Sequence, residues 1–259
     1  MPAELRSSGQ GQTLVLTISN PEHRNALGPE IYAAGIEALG VAETSPDVRS
    51  VVIAGEGAMF CAGGQLQRLL ANRQQPPSVQ AESIEGLHGW IEAIRTFPKP
   101  VVAAVEGAAA GAGFSLALAC DLIVAAQSAK FVMAYVKVGL TPDGGGSWFL
   151  SQALPRQLAT EIIIEGKPVS AARLHAAGVV NRVAPDGGAL EAALAWGDEL
   201  AKLSPHAVSN IKGLLREAPS NTLPQHFEAE KRSFVDSLHH RDGLEGITAF
   251  LDKRAPQYK

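Results

Sequence analysis

Residues 101–114 read VVAAVEGAAAGAGF and set a short apolar run directly before a turn made of glycine and alanine. The run Val101–Val105 predicts a buried β-strand, and the apolar residues after Gly113 predict a helix that ends near Asp121. Small side chains let another molecule approach the backbone of such a turn closely. The first turn of the helix also presents N–H groups without partners and a favourable dipole. The stretch therefore predicts a strand, a turn and a helix whose backbone N–H groups can bind an oxygen atom.

A second glycine-rich turn, FCAGGQ at residues 60–65, follows another predicted strand, SVVIAG at residues 50–55. One N–H group from each turn would form a two-donor oxyanion hole, which stabilises negative charge on a carbonyl oxygen. For either turn alone we prefer the interpretation that small residues let helices pack tightly against a sheet. The occurrence of both turns at strand ends favours a binding site. Neither turn matches the glycine patterns of dinucleotide or P-loop sites.

Further apolar runs predict strands that alternate with amphipathic helices, which is typical of parallel β-α-β construction. These additional strands are predicted at residues 13–19, 121–125, 130–132 and 179–183, and the helices at residues 29–44 and 84–97. A polar, proline-containing segment at residues 74–80 is predicted to be a loop. From about residue 187 the chain consists of successive amphipathic helices. These are more helices than one sheet needs to cover it, which favours an oligomer interface. We therefore divide the chain into a core of residues 1–186 and a helical region of residues 187–259.

Composition narrows the possible partners. The 259 residues carry 22 Lys and Arg against 26 Asp and Glu, a net charge of −4, and show no basic stripe, so nucleic acid is not expected as a partner. No apolar run reaches the roughly 20 residues that span a bilayer, and the N-terminus lacks a signal-peptide pattern. The two cysteines are far apart and indicate neither a disulfide framework nor a zinc site. We therefore expect a cytoplasmic protein with no membrane partner and no metal.

Short motifs in a fixed order extend the pattern over nearly the whole chain. They are NPEHRNAL (20–27), FCAGG (60–64), KPV (99–101), GAAAGAG (107–113), ACD (119–121), GLTPDGG (139–145), Gly166, residues 172–183 and EGITAFLDKR (245–254). Any one of these motifs is weakly specific. Together and in this order they resemble the crotonase, or enoyl-CoA hydratase/isomerase, superfamily.

The resemblance implies an α/β fold of the crotonase type, a spiral of ββα turns with a C-terminal helical trimerisation region. It implies a homotrimer or a dimer of trimers that acts on acyl-CoA thioesters. Coenzyme A would bind as part of the substrate, and no cofactor would be required. By their positions in the motifs, the oxyanion donors would be the N–H groups of Gly64 and Ala112.

The resemblance also implies how coenzyme A binds. The residues that it assigns to coenzyme A are Arg24, Ala26, Ala62, Leu66, Phe250 and Lys253. Residues 25–27, Ala62 and Leu66 would line the channel, with Arg24 or its neighbour His23 near the phosphates. Phe250 and Lys253 resemble a pair that reaches the adenine end of coenzyme A in a neighbouring subunit. As an alternative, His23 and Arg24 are solvated loop residues.

The residues at the reacting carbons distinguish the reactions of this superfamily. In its hydratases two glutamates add water across a double bond, and the matching positions here hold Ser115 and Tyr135. Neither is a carboxylate base, so simple hydration is disfavoured. Asp143 matches the acid of the isomerase branches, which include ring-epoxide isomerases of phenylacetyl-CoA catabolism and double-bond isomerases of unsaturated acyl-CoA. One carboxylate suffices there, because it removes a proton from one carbon and returns one to another.

Other roles for these residues stay open at this point. Asp143 can instead cap the following helix, which is a common role for aspartate. It also matches the nucleophile of chlorobenzoyl-CoA dehalogenase, with His88 at the position of the water-activating histidine and Tyr135 at that of an aromatic residue. An ordinary histidine on a helix is the commoner explanation of His88. A third possibility is a protein that binds acyl-CoA without catalysis. Cys61 is predicted to be a packing residue.

Overall fold

The computed structural model describes residues 3–258, in which a six-stranded and a three-stranded sheet are surrounded by helices. The strands are β1 (Glu4–Gln10), β2 (Thr13–Ser19), β3 (Ser50–Gly55), β4 (Val101–Val105), β5 (Ala108–Ala110), β6 (Leu122–Ala126), β7 (Lys130–Val132), β8 (Val169–Ser170) and β9 (Arg182–Ala184). The large sheet has the order β1-β2-β3-β4-β6-β9, and the small sheet has the order β5-β7-β8. All neighbours in the large sheet are parallel except β1 and β2. The predicted α/β class and parallel construction are therefore confirmed.

The helices connect these strands and then continue alone to the C-terminal end. They are α1 (Pro29–Thr44), α2 (Leu66–Asn72), α3 (Pro77–Thr96), α4 (Ala112–Ala119), α5 (Gly146–Ala153), α6 (Arg156–Glu165), α7 (Ala171–Ala176), α8 (Ala189–Leu200), α9 (Pro205–Glu217), α10 (Leu223–His239) and α11 (Arg241–Leu251). Short 3-10 turns cover Pro21–His23, Ala134–Val138 and Ala218–Ser220. Helices α1, α3 and α9 begin at a proline, whose fixed φ suits the first helical position.

The large sheet is covered by apolar side chains on both faces, which explains its uninterrupted apolar strands. On one face the strands pack against Ile31 of α1, Trp90 of α3 and Phe114 of α4. On the other face they pack against Ala189 and Ala193 of α8. Helix α8 thus lies on the core, although it follows the division that the sequence suggests at residue 187. That division stays a prediction.

Helix α3 is longer than the sequence indicates. It begins at Pro77, so the segment at residues 74–80 is a loop only in its first half. The first residues of α3 are mostly exposed and polar and therefore carry little of the apolar spacing that marks a helix. Strand β1 carries no apolar pattern that would predict it, because it is an exposed edge strand.

Strand β9 begins later than predicted. The apolar run that starts at Val179 predicts a strand over residues 179–183, but the strand covers Arg182–Ala184. The N–H groups of Val179 and Val180 both donate to the carbonyl oxygen of Leu174 at the end of α7. They close the turn after that helix and are not available for pairing with β6.

The last three helices, α9 to α11, leave much apolar surface exposed. Helix α10 contacts both α9 and α11. The large exposed apolar residues of these helices are Ile211, Leu215, Leu223, Phe227, Phe234, Val235, Leu238, Leu244, Ile247, Phe250 and Leu251. An ion pair between Lys212 and Asp121 ties α9 to the chain before β6. None of the helices within residues 3–258 has the length and apolar character needed to cross a membrane.

Candidate active site

The two glycine-rich turns lie side by side. Cys61 donates its N–H to the Ala108 carbonyl oxygen at 3.0 Å, and the Ala110 N–H donates to the Cys61 carbonyl oxygen at 2.9 Å. On the other side, the Leu27 N–H donates to the Gly63 carbonyl oxygen at 2.8 Å. The turn after β3 is thus held between the motif that precedes α1 and strand β5.

The N–H groups of Gly64 and Ala112 have no acceptor among the backbone hydrogen bonds of residues 3–258. Ala112 is the first residue of α4, where N–H groups lack an intrahelical acceptor and the dipole favours negative charge. A Cβ atom on Gly63 would lie 3.1 Å from the Ala112 nitrogen, so the two turns touch. Two unpaired donors on touching turns form the arrangement that an oxyanion hole requires.

Glycine is needed at two positions for the turns to come this close. Gly111 precedes α4 with a φ of 52°, in the left-handed region that other residues rarely adopt. At Gly113 a Cβ atom would lie 2.6 Å from the carbonyl oxygen of Cys61, which is closer than any side chain permits. These two glycines therefore bring α4 against the first turn.

Asp143 lies in a turn that begins after the 3-10 segment and ends at α5. Gly144 and Gly145 follow it with φ angles of 59° and 77°, so the chain reverses sharply. The residue that caps α5 is Gly145, and no side chain accepts a hydrogen bond from the first turn of that helix. The alternative that Asp143 is a helix cap is therefore wrong, since its side chain is directed to another partner.

That partner is Tyr135, whose hydroxyl donates to Asp143 Oδ1 at 2.6 Å. The Ser115 hydroxyl donates to the backbone carbonyl oxygen of Asp143 at 2.9 Å. Ser115 lies three residues after the donor Ala112 and hence on the same face of α4. The ring of Tyr135 lies 3.6 Å from a Cβ atom placed on Gly111. The three positions that decide the reaction thus form one hydrogen-bonded cluster beside the proposed oxyanion donors.

The surroundings of Asp143 keep its phenolic neighbours neutral. Burial raises the pKa of Tyr135 far above its ordinary value, and the charge of Asp143 and the hydrogen bond to it raise this pKa further. Burial likewise raises the pKa of Tyr32 on α1, with a smaller contribution from the charge of Asp143. A tyrosine that does not ionise can donate a hydrogen bond but cannot act as a base. The carboxylate of Asp143 is therefore the group in this cluster that can accept a proton.

A cleft of about 380 Å³ opens between α1, α2 and α3. Its lining residues are Pro29, Tyr32, Ala33, Ile36, Arg68, Asn72, Val79, Glu82, Ser83 and Gly86. Two residues of this lining, Tyr32 and Arg68, are not assigned a role from the sequence. No signal singled them out, because Tyr32 continues the apolar face of α1 and Arg68 resembles any surface arginine.

His88 is not brought to Asp143. It is exposed on α3, and the α3 side chains that approach the turn of Asp143 are Leu87 and Ile91. A Cβ atom on Gly144 would lie 3.2 Å from Leu87 Cδ2 and 3.1 Å from Ile91 Cδ1. An apolar surface therefore faces Asp143 from α3, and the water-activating histidine of a dehalogenase has no counterpart there.

Two glutamates outside the motif positions have structural partners. Glu106 accepts from the N–H groups of Ala189, at 2.8 Å, and Gly187, at 3.2 Å, and so caps the start of α8. Glu165 pairs with Lys167 at 2.8 Å. Both are therefore occupied away from the cluster around Asp143.

The residues that the sequence assigns to coenzyme A fall into two groups. Arg24 and Ala26 precede α1, and the Arg24 carbonyl oxygen accepts from the Ala62 N–H at 3.0 Å. Leu66 is exposed at the start of α2. These four residues thus gather around the first turn. Phe250 lies in the last turn of α11 and is 84% exposed, and Lys253 follows just after the end of that helix.

Cys61 is unsuited to nucleophilic chemistry. It is fully buried, and burial raises the pKa of its thiol to about 12. The thiol is therefore neutral below that pH and unreactive, since the thiolate is the nucleophile. Cys120 is also buried. We expect a thiol reagent at pH 8 to label neither cysteine in the folded protein and both after unfolding in guanidinium, as counted by mass spectrometry. Rapid labelling of Cys61 before unfolding would contradict this.

The chain is similar over nearly its whole length to proteins of one family. Residues 9–259 match the family described as enoyl-CoA hydratase/isomerase. The chain is 34% identical over 246 residues to a 1,2-epoxyphenylacetyl-CoA isomerase of Escherichia coli K12, covering 95% of this chain and 94% of that protein. It is 32% identical to a 2,3-dehydroadipyl-CoA hydratase of the same organism, covering 99% of both. A crystal structure of an enoyl-CoA hydratase from Polaromonas sp. JS666 has 63% identity, a TM-score of 0.98 and coverage of 99% of this chain and 100% of that one.

Proposed function

Because the chain belongs to the enoyl-CoA hydratase/isomerase family, we propose that it is an acyl-CoA isomerase in which Asp143 carries the proton. The observation that carries this proposal is the hydrogen bond from the Tyr135 hydroxyl to Asp143 Oδ1. Where hydratases have glutamates, Ser115 and Tyr135 offer hydroxyl groups that orient a single carboxylate. One carboxylate beside two unpaired N–H groups is the minimum that proton transfer along an acyl chain needs.

The proposed reaction has two proton transfers at a thioester held by the two turns. The N–H groups of Gly64 and Ala112 donate to the thioester oxygen, which makes the neighbouring carbon more acidic. Asp143 takes a proton from one carbon, and the negative charge moves to the oxygen and along the conjugated carbons. Protonated Asp143 then returns a proton to another carbon. The product has the mass of the substrate, and the proposed reaction uses no cofactor beyond the coenzyme A of the substrate.

A hydratase would need more than this cluster offers. Addition of water requires a base for the water and an acid for the carbon, whereas Tyr135 stays neutral because its pKa is raised. The names of the relatives include both an isomerase and a hydratase. The proposal is tested by incubating the protein with 3-hexenoyl-CoA, 2-hexenoyl-CoA and a phenylacetyl-CoA epoxide. We expect an isomer of unchanged mass from the first or the third, and a product heavier by one water would contradict the proposal.

Tyr135→Phe tests how much the hydrogen bond that orients Asp143 contributes to turnover, because the carboxylate itself is unchanged. The ring that packs near Gly111 is kept, while the donor to Asp143 Oδ1 is lost. We expect turnover of the isomerised thioester to fall about tenfold, in line with the loss of one hydrogen bond to a charged group. Steady-state kinetics measure this, and Tyr258→Phe serves as the control because Tyr258 lies against Gly246 near the C-terminal end. Equal turnover of Tyr135→Phe and the parent protein would remove Tyr135 from the proposed mechanism.

The proposal includes coenzyme A binding across a subunit boundary. Ala26, Ala62 and Leu66 would line the channel in one subunit with Arg24 near the phosphates, while Phe250 and Lys253 would reach the adenine end in its neighbour. The exposed apolar residues of α9 to α11 support an interface there, because such patches are unusual on a monomer. The mass of the assembly in solution, expected to be that of a trimer or hexamer, tests this part.

A further inference from the structure

Arg68 places a positive charge on the wall of the cleft between α1, α2 and α3. Helix α2 begins two residues after Gly64, and Arg68 follows Gly64 by four residues. Gln65 is extended, so Arg68 lies in the first turn of the helix that follows Gly64. The guanidinium lies against the start of α1, since a Cβ atom on Gly28 would come within 2.5 Å of Arg68 Nη1. A cation thus lies in the first turn of the helix that follows a proposed oxyanion donor.

The guanidinium of Arg68 has only a weak polar partner in the protein. Within residues 3–258 its one ion pair joins Nη1 to Glu30 Oε2 at 3.7 Å, which is longer than a hydrogen bond. The Glu30 side chain is 65% exposed and that of Arg68 is 32% exposed. A long and exposed pair of this kind contributes little, so Glu30 can leave at small cost. The guanidinium then offers its planar set of N–H donors to another oxygen ligand.

Tyr32 and Leu69 relate the cleft to the site around Asp143 and Gly64. Tyr32 lines the cleft, and the charge of Asp143 contributes to its raised pKa. The residue next to Arg68, Leu69, lies 3.9 Å from a Cβ atom placed on Gly64. An acyl chain whose thioester oxygen is held at Gly64 can therefore run along α2 to Arg68. On its way it would cover Ile36 and Val79, two apolar side chains that are exposed without it.

We propose that Arg68 binds an oxygen acceptor, a carboxylate or a carbonyl, at the far end of the acyl group, so that the enzyme selects oxygenated acyl-CoA thioesters. This inference rests on the proposed function, because the site is the acyl site beside Asp143. Two exposed carboxylates lie near this position: Glu30 on α1, which pairs with Arg68, and Glu82 on α3, which lines the same cleft. Exposed carboxylates stay hydrated and can turn outward, whereas Arg68 is held at the wall.

The test compares the binding of three saturated six-carbon thioesters, which undergo no isomerisation. Titration calorimetry gives dissociation constants for adipoyl-CoA, with a terminal carboxylate, 5-oxohexanoyl-CoA, with a carbonyl near the end, and hexanoyl-CoA, with neither. We expect one or both oxygenated thioesters to bind at least about tenfold more tightly than hexanoyl-CoA, because a hydrogen bond to a charged group contributes that much. In Arg68→Met this preference should disappear while hexanoyl-CoA binds as before. Arg73→Met is the control, since it removes a positive charge from the end of the same helix outside the cleft.

A second variant keeps the inference open to refutation if Arg68→Met folds poorly. Glu30→Gln removes the competing carboxylate and should strengthen binding of the preferred oxygenated thioester several-fold, with no change for hexanoyl-CoA. Equal binding of all three thioesters by the parent protein would overturn the inference, as would a preference that survives in Arg68→Met. The proposed function would still stand in these cases, because binding and not turnover is measured. Absence of binding by every thioester would overturn both.

Discussion

Asp143→Asn is expected to lower the turnover of the isomerised thioester by about 10²–10⁴-fold, the usual contribution of a positioned acid or base. Asparagine has nearly the same shape, and its carbonyl oxygen can still accept the hydrogen bond from the Tyr135 hydroxyl. It cannot take up a proton, so only the proposed chemistry is removed. Steady-state kinetics with the thioester found active for the parent protein measure the effect.

Two controls keep this result specific. The affinity of Asp143→Asn for a saturated acyl-CoA should equal that of the parent protein, because the donors at Gly64 and Ala112 are unchanged. Asp47→Asn removes an exposed carboxylate in the turn after α1 and should leave turnover unchanged. Turnover by Asp143→Asn at the parent rate, with binding intact, would show that another group moves the proton.

Ala112→Pro is expected to lower turnover by about 10²–10³-fold, because it removes one of the two N–H donors of the oxyanion hole. Ala112 is the first residue of α4, a position where proline is well tolerated since its N–H has no intrahelical acceptor. The helix should therefore form as before. The proline ring also occupies the space into which the N–H group pointed, so acyl-CoA binding should weaken as well.

Arg156→Pro is the matched control for this substitution. It places proline at the first residue of α6, which is not part of the proposed site. Thermal unfolding should show similar midpoints for both proline variants, and only Ala112→Pro should lose activity. Full activity of Ala112→Pro would contradict the assignment of Ala112 as an oxyanion donor.

The strands nearest the site could be predicted from the sequence almost residue by residue. Strands β3 and β4 are buried on both faces, so their sequences are unbroken apolar runs that end at the turns. The small residues of the second turn predict a close approach to its backbone, and in the structure only glycine permits the φ angle at Gly111 and the contact with Cys61 at Gly113. At these positions the local backbone conformation and the contact between the turns both require glycine.

The contacts around Asp143 could not be predicted in the same way. The motif positions singled out Ser115, Tyr135 and Asp143 separately, but the Tyr135 hydrogen bond depends on the 3-10 turn that contains Tyr135 and on the left-handed Gly139 that ends it. The contact from Ser115 joins residues that are 28 positions apart. Such distances are set by how α4 and α5 pack, and no local pattern encodes them. The cleft at Arg68 is hidden for the same reason, because three helices form it.

Proton exchange with heavy water tests the central claim, that Asp143 moves a proton on a thioester held by the two turns. The protein is incubated in D2O with the thioester that it isomerises, and deuterium at the carbon that loses the proton and at the carbon that gains it is followed by nuclear magnetic resonance and mass spectrometry. We expect deuterium to enter with the parent protein and to stay at the background rate with Asp143→Asn, although both bind the thioester equally. Equal deuterium uptake by the two proteins would contradict the claim.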